Sequence, residues 1–106
     1  MYKPLPSSLT IKESGIDGLG LFAKRGIAQG DNLGMSHVEI GSGIIRTPMG
    51  GFINHSNDAN TVKVELRIDE KDDGLLKVAT KKWNLIALRD IKEGEELTVR
   101  YTFYNV

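Results

Sequence analysis

Apolar side chains in this chain recur mostly at every second position, and this spacing limits the folds that are open to it. In residues 62–68, valine, leucine and isoleucine alternate with Lys63, Glu65 and Arg67, which is typical of a strand with one buried face. The same alternation recurs in residues 97–103. No segment has the apolar spacing of an amphipathic helix three turns long. The sequence therefore predicts a mostly β fold of short strands and tight turns.

A hairpin is predicted directly after the strand at residues 62–68. Asp73-Gly74 follows it, and an Asp-Gly pair favours the positive φ angles that tight hairpin turns need. We expect the turn at residues 71–74 and the partner strand at residues 75–80.

Two segments of the chain resemble each other. Residues 21–33 read LFAKRGIAQGDNL and residues 85–97 read LIALRDIKEGEEL, with six identities at a constant offset of 64. Each segment has the pattern of a strand, a turn at Gly30 or Gly94, and the start of a second strand. Shared turn chemistry alone could give part of this likeness, but six identities favour a pseudo-symmetric pair of β units.

Charge and composition exclude several classes of function. The 106 residues fit a single domain, residues 1–106, and 14 basic side chains balance 14 acidic ones. Because no basic stripe exists, nucleic-acid binding is not expected. With no cysteine, and with His37 and His55 as the only histidines, a metal site is not expected either.

The sequence carries no signal for a membrane or for export. Residues 1–8 lack an apolar core of the kind found in signal peptides, and no apolar run reaches transmembrane length. Without cysteines, nothing in the chain requires an oxidising compartment. We expect a soluble, intracellular protein, cytoplasmic or, in a eukaryote, nuclear.

Three short motifs could carry chemistry. Gly18-Leu19-Gly20 lets backbone approach a ligand closely, although it alone is more typical of a turn. The stretch from Gly51 to Asn60 contains Asn54-His55, whose side chains both donate and accept hydrogen bonds, although it also fits an ordinary polar turn. The stretch from Gly94 to Tyr101 ends in an aromatic residue that could simply pack its ring.

Together and in this order, the motifs resemble the SET domain family of protein lysine methyltransferases. The resemblance runs from Leu9 to Phe103 and rests on S-x-x-x-G-x-G-x-F-A, G-F-I-N-H-S-x-x-x-N and G-E-E-L-T-x-x-Y. It implies a β-clip architecture of short strands, with little helix and with the C-terminal strand threaded beneath a loop as a pseudoknot. The chain would be a minimal SET domain of viral or bacterial type.

The resemblance also implies an activity and its residues. The protein would transfer a methyl group from S-adenosyl-L-methionine to the ε-amine of a lysine in a protein substrate. Tyr101 would be catalytic and would also contact the cofactor, and Val99 and Phe103 would line the substrate channel. The cofactor would be held by Gly18, Leu19, Gly20, Leu21, Asn54, His55 and Phe103.

The sequence departs from the family pattern on the substrate side. Only residues 34–51 stand where the family usually inserts a helical wall of the peptide groove, and no cysteine-rich zinc module follows. A second copy of the chain or another protein could complete the groove, and we expect a homodimer. Two alternatives stay open: a SET-like module with little turnover, and a β-clip binding module of the SAF or antifreeze type.

Overall fold

The computed structural model describes residues 5–40, 43–67 and 81–101. The predicted mostly β architecture with little helix is confirmed. The described elements are β1 (Leu9–Glu13), β2 (Leu19–Ala23), β3 (Asn32–Ile40), β4 (Gly43–Arg46), α1 (Pro48–Phe52), β5 (Asn54–His55), β6 (Thr61–Arg67), β7 (Lys81–Ala87) and β8 (Glu96–Val99). None of the helical structure in these ranges is long and apolar enough to cross a membrane.

The strands form one sheet in the order β1-β2-β8-β6-β7-β3-β4, with β5 paired to β8 outside this path. Strand β8 runs parallel to β5 and β6, and all other neighbouring strands, including β8 and β2, are antiparallel. Val99 pairs with His55 on one side and with Thr61 on the other. Because a strand residue has only two edges, the loop at residues 56–60 must cross over β8. The C-terminal strand is thus threaded beneath a loop.

The two similar segments are related by a pseudo-twofold arrangement of hydrogen bonds. Ile27 and Ile91, equivalent at the offset of 64, donate to each other's carbonyl oxygens at 2.8 Å in both directions. Gly30 and Gly94 have φ angles of 88° and 86°. Two further hydrogen bonds recur at the same offset. Ala23 N donates to Glu95 O, and the equivalent Ala87 N donates to Asp31 O, both at 3.0 Å. Gly94 N donates to Ala23 O, and the equivalent Gly30 N donates to Ala87 O, both at 2.8 Å. The predicted pseudo-symmetry is confirmed.

The apolar residues shared by the two segments form much of the hydrophobic core. Each equivalent pair is buried, with exposures between 0% and 6%. These pairs are Leu21 and Leu85, Ala23 and Ala87, Ile27 and Ile91, and Leu33 and Leu97. The identities therefore persist at positions where a change of volume would disturb close packing.

The prediction of a buried apolar face on β6 was wrong. Val62, Val64 and Leu66 are 38–39% exposed, whereas Thr61 at the start of the strand is buried. The reason is that the main contacts of β6 in the described part of the chain are its sheet neighbours β7 and β8, which pair with its edges and leave its apolar face without a second layer. The predicted turn at 71–74 and partner strand at 75–80 lie outside the described residues.

The single turn of helix α1 leads into the functional region. Thr47 caps it, because its Oγ1 accepts a hydrogen bond from Gly50 N at 3.3 Å and donates to Met35 O at 2.7 Å. Pro48 occupies the first turn, where its missing N–H costs nothing. The helix ends at Phe52, and extended backbone at Ile53 leads directly into β5.

Candidate functional site

Asn54 holds a glycine-containing loop against the sheet. Its side chain is 9% exposed, and Nδ2 lies within hydrogen-bonding distance of four acceptors. The acceptors are Glu96 Oε2 at 2.9 Å, Ser14 Oγ at 3.0 Å, Asp17 O at 3.1 Å and Leu19 O at 3.4 Å. An NH₂ group has two protons, so the four acceptors share them. The amide nitrogen of Asn54 therefore ties the loop at residues 14–19 to β5 and β8.

Ser14 and Glu96 complete this attachment. Ser14 Oγ lies 2.8 Å from both carboxylate oxygens of Glu96 and accepts a hydrogen bond from Ile16 N at 2.9 Å. Glu96 belongs to β8 and lies opposite Phe22 in the register. The loop is thus fixed to the C-terminal strand through side chains as well as through backbone pairing.

The two loop glycines serve different purposes. Gly18 has φ of +45°, a conformation that side chains other than glycine rarely adopt, and it has open space around it. At Gly20, a Cβ would collide with a carboxylate oxygen of Glu96 and come within 3.0 Å of Ser14 Cβ. A side chain at position 20 would therefore force the Glu96 carboxylate, the end of a flexible side chain, to move.

His55 and Tyr101 form a second cluster beside Asn54. The amide of Tyr101 donates to His55 Nδ1 at 2.8 Å, and His55 Nε2 lies 3.2 Å from Asn57 Oδ1. The neutral ring therefore carries its proton on Nε2, since Nδ1 accepts. The two rings are 5.1 Å apart at a tilt of 53°, and the Tyr101 hydroxyl donates to Ile53 O at 2.7 Å. The segment 53–55 thus positions Tyr101 at both its amide and its hydroxyl.

Asn60 clamps the threaded strand in place. It is 2% exposed, and its Nδ2 donates to Glu96 O at 2.8 Å and Glu95 Oε2 at 3.2 Å. Its Oδ1 accepts from Thr98 N at 2.8 Å. Both ends of this buried carboxamide therefore hold β8 where the loop at 56–60 crosses it.

Comparison with protein families identifies the family of this chain. A profile of the SET domain matches residues 37–102, which is more than half of the chain. The chain belongs to the SET domain family. This confirms the membership that the three sequence motifs predicted. No curated protein matches the sequence.

Two solved structures share the fold of this SET domain. A candidate histone methyltransferase of Plasmodium falciparum has a TM-score of 0.71 at 17% identity, over 94% of this chain and 97% of that chain. The Polycomb Repressive Complex 2 of Chaetomium thermophilum, in an autoinhibited conformation bound to S-adenosylmethionine, has a TM-score of 0.67 at 19% identity. That match covers 89% of this chain and 15% of the other chain. At 17% and 19% identity, the structural similarity shows that the fold is shared.

The SET domain brings several predicted cofactor residues together, but not all of them. Gly18 lies on the loop that Asn54 holds, and Leu19 and Gly20 follow it at the start of β2, where Leu19 is 49% exposed. Leu21 follows in β2, where its side chain is fully buried between β1 and β8, and the contribution expected of it to the cofactor site stays a prediction. The predicted contribution of Phe103 lies outside the described residues.

Val99 and Tyr101 differ in their surroundings. Strand β8 ends at Val99, so Tyr101 lies beyond the strand although the sequence predicts strand alternation over residues 97–103. Val99 is 2% exposed and Tyr101 is 38% exposed. Val99 also borders a cavity of about 340 Å³, which Tyr101 does not line. The lining residues are Asn57, Ala59, Thr61, Val62, Lys63, Leu88, Val99 and Arg100.

The amide oxygen of Asn54 could bind a cofactor that ends in an amino acid. All described hydrogen bonds of the Asn54 side chain come from Nδ2, while Oδ1 has none and is not enclosed. An amide oxygen without a partner in the described part of the chain suits an ammonium group, which can only donate hydrogen bonds. In the described ranges, no cluster of three or more potential metal ligands occurs.

Sequence reasoning missed Ser14, Glu96 and Asn60 as parts of the site. Ser14 and Asn60 were visible as the first and last letters of two motifs, and Glu96 as the second acid of G-E-E-L. Their roles depend on contacts between residues 35 to 82 positions apart. Local sequence patterns do not predict contacts between residues so far apart in the chain.

Proposed function

We propose that this SET domain is a protein-lysine N-methyltransferase that uses S-adenosyl-L-methionine. The observation that carries the proposal is the shared support of two clusters by one short segment. Residues 53–55 contact Tyr101 through Ile53 O and His55 Nδ1, and they contact the glycine loop through Asn54. A candidate catalytic aromatic and a candidate cofactor loop are therefore held in a fixed relation.

In this proposal the cofactor lies between the loop and the aromatic pair. Asn54 Oδ1 would accept a hydrogen bond from the ammonium group of the cofactor, and the backbone of Gly18 and Leu19 would line another part of the cofactor site. The rings of His55 and Tyr101 would border its adenosine portion. Phe103, as the resemblance implies, would contact the cofactor and line the substrate channel. When bound, the cofactor supplies an electrophilic methyl group on sulfur.

The residues of the chain would prepare the lysine amine for attack. A free lysine titrates near about 10.4, so the amine must lose its proton and much of its hydration before it can act as a nucleophile. Because the Tyr101 hydroxyl donates its proton to Ile53 O, its oxygen can act toward the amine only as a hydrogen-bond acceptor. Tyr101 would thus orient an amine N–H, and orientation accounts for much of the rate of such transfers. Val99 would contribute apolar wall.

Substitution of Tyr101 by phenylalanine tests this assignment. Tyr101→Phe keeps the ring beside His55 and removes one hydroxyl, so affinity for S-adenosylmethionine measured by calorimetry should change little. Radiolabelled methyl transfer to mixed proteins should fall by about 10²–10³-fold, as for loss of one positioning hydrogen bond. Normal transfer by the variant would show that Tyr101 only packs.

Calorimetry on the unmodified protein separates the competing functions. Binding of S-adenosylmethionine with transfer supports the enzyme, and binding without transfer supports a SET-like module with little turnover. Absence of binding would contradict the proposed cofactor site and, with it, the proposed activity. We place the activity inside the cell, since a chain without cysteine depends on no oxidising compartment.

We also propose that the protein is a homodimer that binds a protein substrate. The support is that β1 and β4 end the strand order of the sheet, and that Ile44 and Ile45 on β4 are about half exposed, at 47% and 52%. Apolar edge strands favour self-association. Light scattering that shows a fully active monomer at high micromolar concentration would contradict this part of the proposal.

A further inference from the structure

Glu96 has an unusual set of partners for an acidic residue near the surface. It is partly buried at the start of β8, and within the described part of the chain it forms no ion pair. Its carboxylate instead accepts from two neutral donors, Ser14 Oγ at 2.8 Å and Asn54 Nδ2 at 2.9 Å. The neighbouring Glu95 differs, because it faces Arg89 at 3.8 Å and Asn60 at 3.2 Å.

The position of this carboxylate is tightly defined. Ser14 Oγ contacts both of its oxygens, and the backbone of Gly20 approaches it so closely that no Cβ fits between them. A carboxylate offers only acceptors, so any group that meets it must donate. Asn54 must therefore turn Nδ2 toward Glu96, and Oδ1 points to the other side of the carboxamide.

The geometry points to Glu96 as a positioning residue that determines which end of the Asn54 carboxamide the cofactor meets. With Nδ2 held by Glu96 and by loop carbonyls, Asn54 presents Oδ1, an acceptor, to the ammonium of the amino-acid tail. This role rests on the cofactor site proposed above. It makes Glu96 act on ligand affinity through Asn54, without touching the ligand.

A neutral amide at position 96 would remove this constraint. The side chain of Glu96→Gln has nearly the same shape, but its NH₂ can donate to Asn54 Oδ1. The carboxamide of Asn54 can then rotate and present Nδ2, a donor, to a cation. We expect a selective loss of affinity for ligands that carry the amino-acid tail, while the fold persists.

The experiment compares two ligands by calorimetry. S-adenosylhomocysteine has the amino-acid tail, whereas 5′-methylthioadenosine shares its adenosine and thioether but lacks the tail. Glu96→Gln should weaken binding of S-adenosylhomocysteine by about tenfold or more, as expected for a hydrogen bond to a charged group, and leave methylthioadenosine binding unchanged. The matched control Glu95→Gln should leave both affinities unchanged.

A second background tests whether Glu96 acts through Asn54. In Asn54→Ala protein, Glu96→Gln should cause no further loss of S-adenosylhomocysteine affinity, since the oriented carboxamide is already absent. Should Glu96→Gln fail to fold by thermal unfolding, Ser14→Ala, which loosens the same carboxylate, replaces it in both comparisons.

Each outcome decides between the two proposals. Failure of the unmodified protein to bind S-adenosylhomocysteine would overturn the cofactor site, and this inference with it. If that protein binds the ligand, the cofactor site stands. An unchanged affinity in Glu96→Gln, an equal loss for both ligands, or a further loss in the Asn54→Ala background would then overturn the role of Glu96 alone.

Discussion

Acid should destabilise this protein through one buried histidine. His37 lies on β3 and is 4% exposed. Burial, with smaller contributions from Lys63 and Arg46, lowers the pKa of His37 from 6.5 to about 4. Ser36 Oγ donates to Trp83 O at 3.2 Å, so it accepts a hydrogen bond from His37 Nδ1–H at 2.9 Å. Burial thus favours the neutral ring over the charged ring in the folded protein.

The size and direction of the effect follow from the two pKa values. Below the unfolded value of 6.5 the unfolded chain binds a proton at this position, while the folded protein does not until the pH approaches about 4. The free energy of unfolding should therefore be highest above pH 6.5 and fall as the pH decreases toward 4. At 1.36 kcal/mol per unit, the total loss is about 3 kcal/mol, a large part of the stability of a small domain.

Urea unfolding at a series of pH values between 7.5 and 4 measures this loss. Carboxyl groups also titrate near the acid end, so the comparison is with His37→Asn, whose amide can still donate to Ser36 Oγ. The variant should be less stable at neutral pH because it is smaller, and its stability should fall by about 3 kcal/mol less over the same pH range. Parallel curves for the two proteins would refute the reasoning.

Two further variants test the packing around the site. Asn60→Ala leaves Thr98 N and Glu96 O without their side-chain partner, so thermal or urea unfolding should show a loss of about 2–5 kcal/mol, whereas Asn57→Ala at an exposed position should cost under about 1 kcal/mol. Equal losses would contradict the clamp. Gly50→Ala would force a Cβ against the carbonyl of Ser36 and should cost about 1–3 kcal/mol. Gly51→Ala, with nothing within 4 Å, should be neutral or stabilising by up to about 1 kcal/mol; a similar loss in both would show that the close approach is unimportant.

The repeated segments show how much a sequence can reveal about a core. Leucine, alanine and isoleucine recur at the offset of 64 because each equivalent pair occupies a buried position in one of two related units. The recurring glycines are explained locally as well, since both adopt the left-handed conformation that their turns require. These features were predictable because spacing and turn chemistry act over only a few neighbouring residues.

The alternation on β6 shows the limit of the same reasoning. Period two correctly separates Val62, Val64 and Leu66 from the charged residues between them. It carries no information on whether another layer covers the apolar face. In the described part of the chain the main contacts of β6 are its sheet neighbours β7 and β8, so its apolar face stays partly exposed. Whether a second layer packs on a strand depends on the path of segments that are distant in the chain.

The candidate site divides in the same way. Asn54, His55 and Tyr101 could be selected from the sequence because they stand in ordered motifs. The attachment of Ser14 to Glu96 across 82 residues, and of Asn54 to Ser14 across 40, could not. Polar side chains form such contacts wherever the fold brings a donor to an acceptor, and no periodicity along the chain encodes that approach. The sequence thus determined the two related β units, their turns and the core positions that they share, and the threading of β8 beneath the loop decided which polar groups meet.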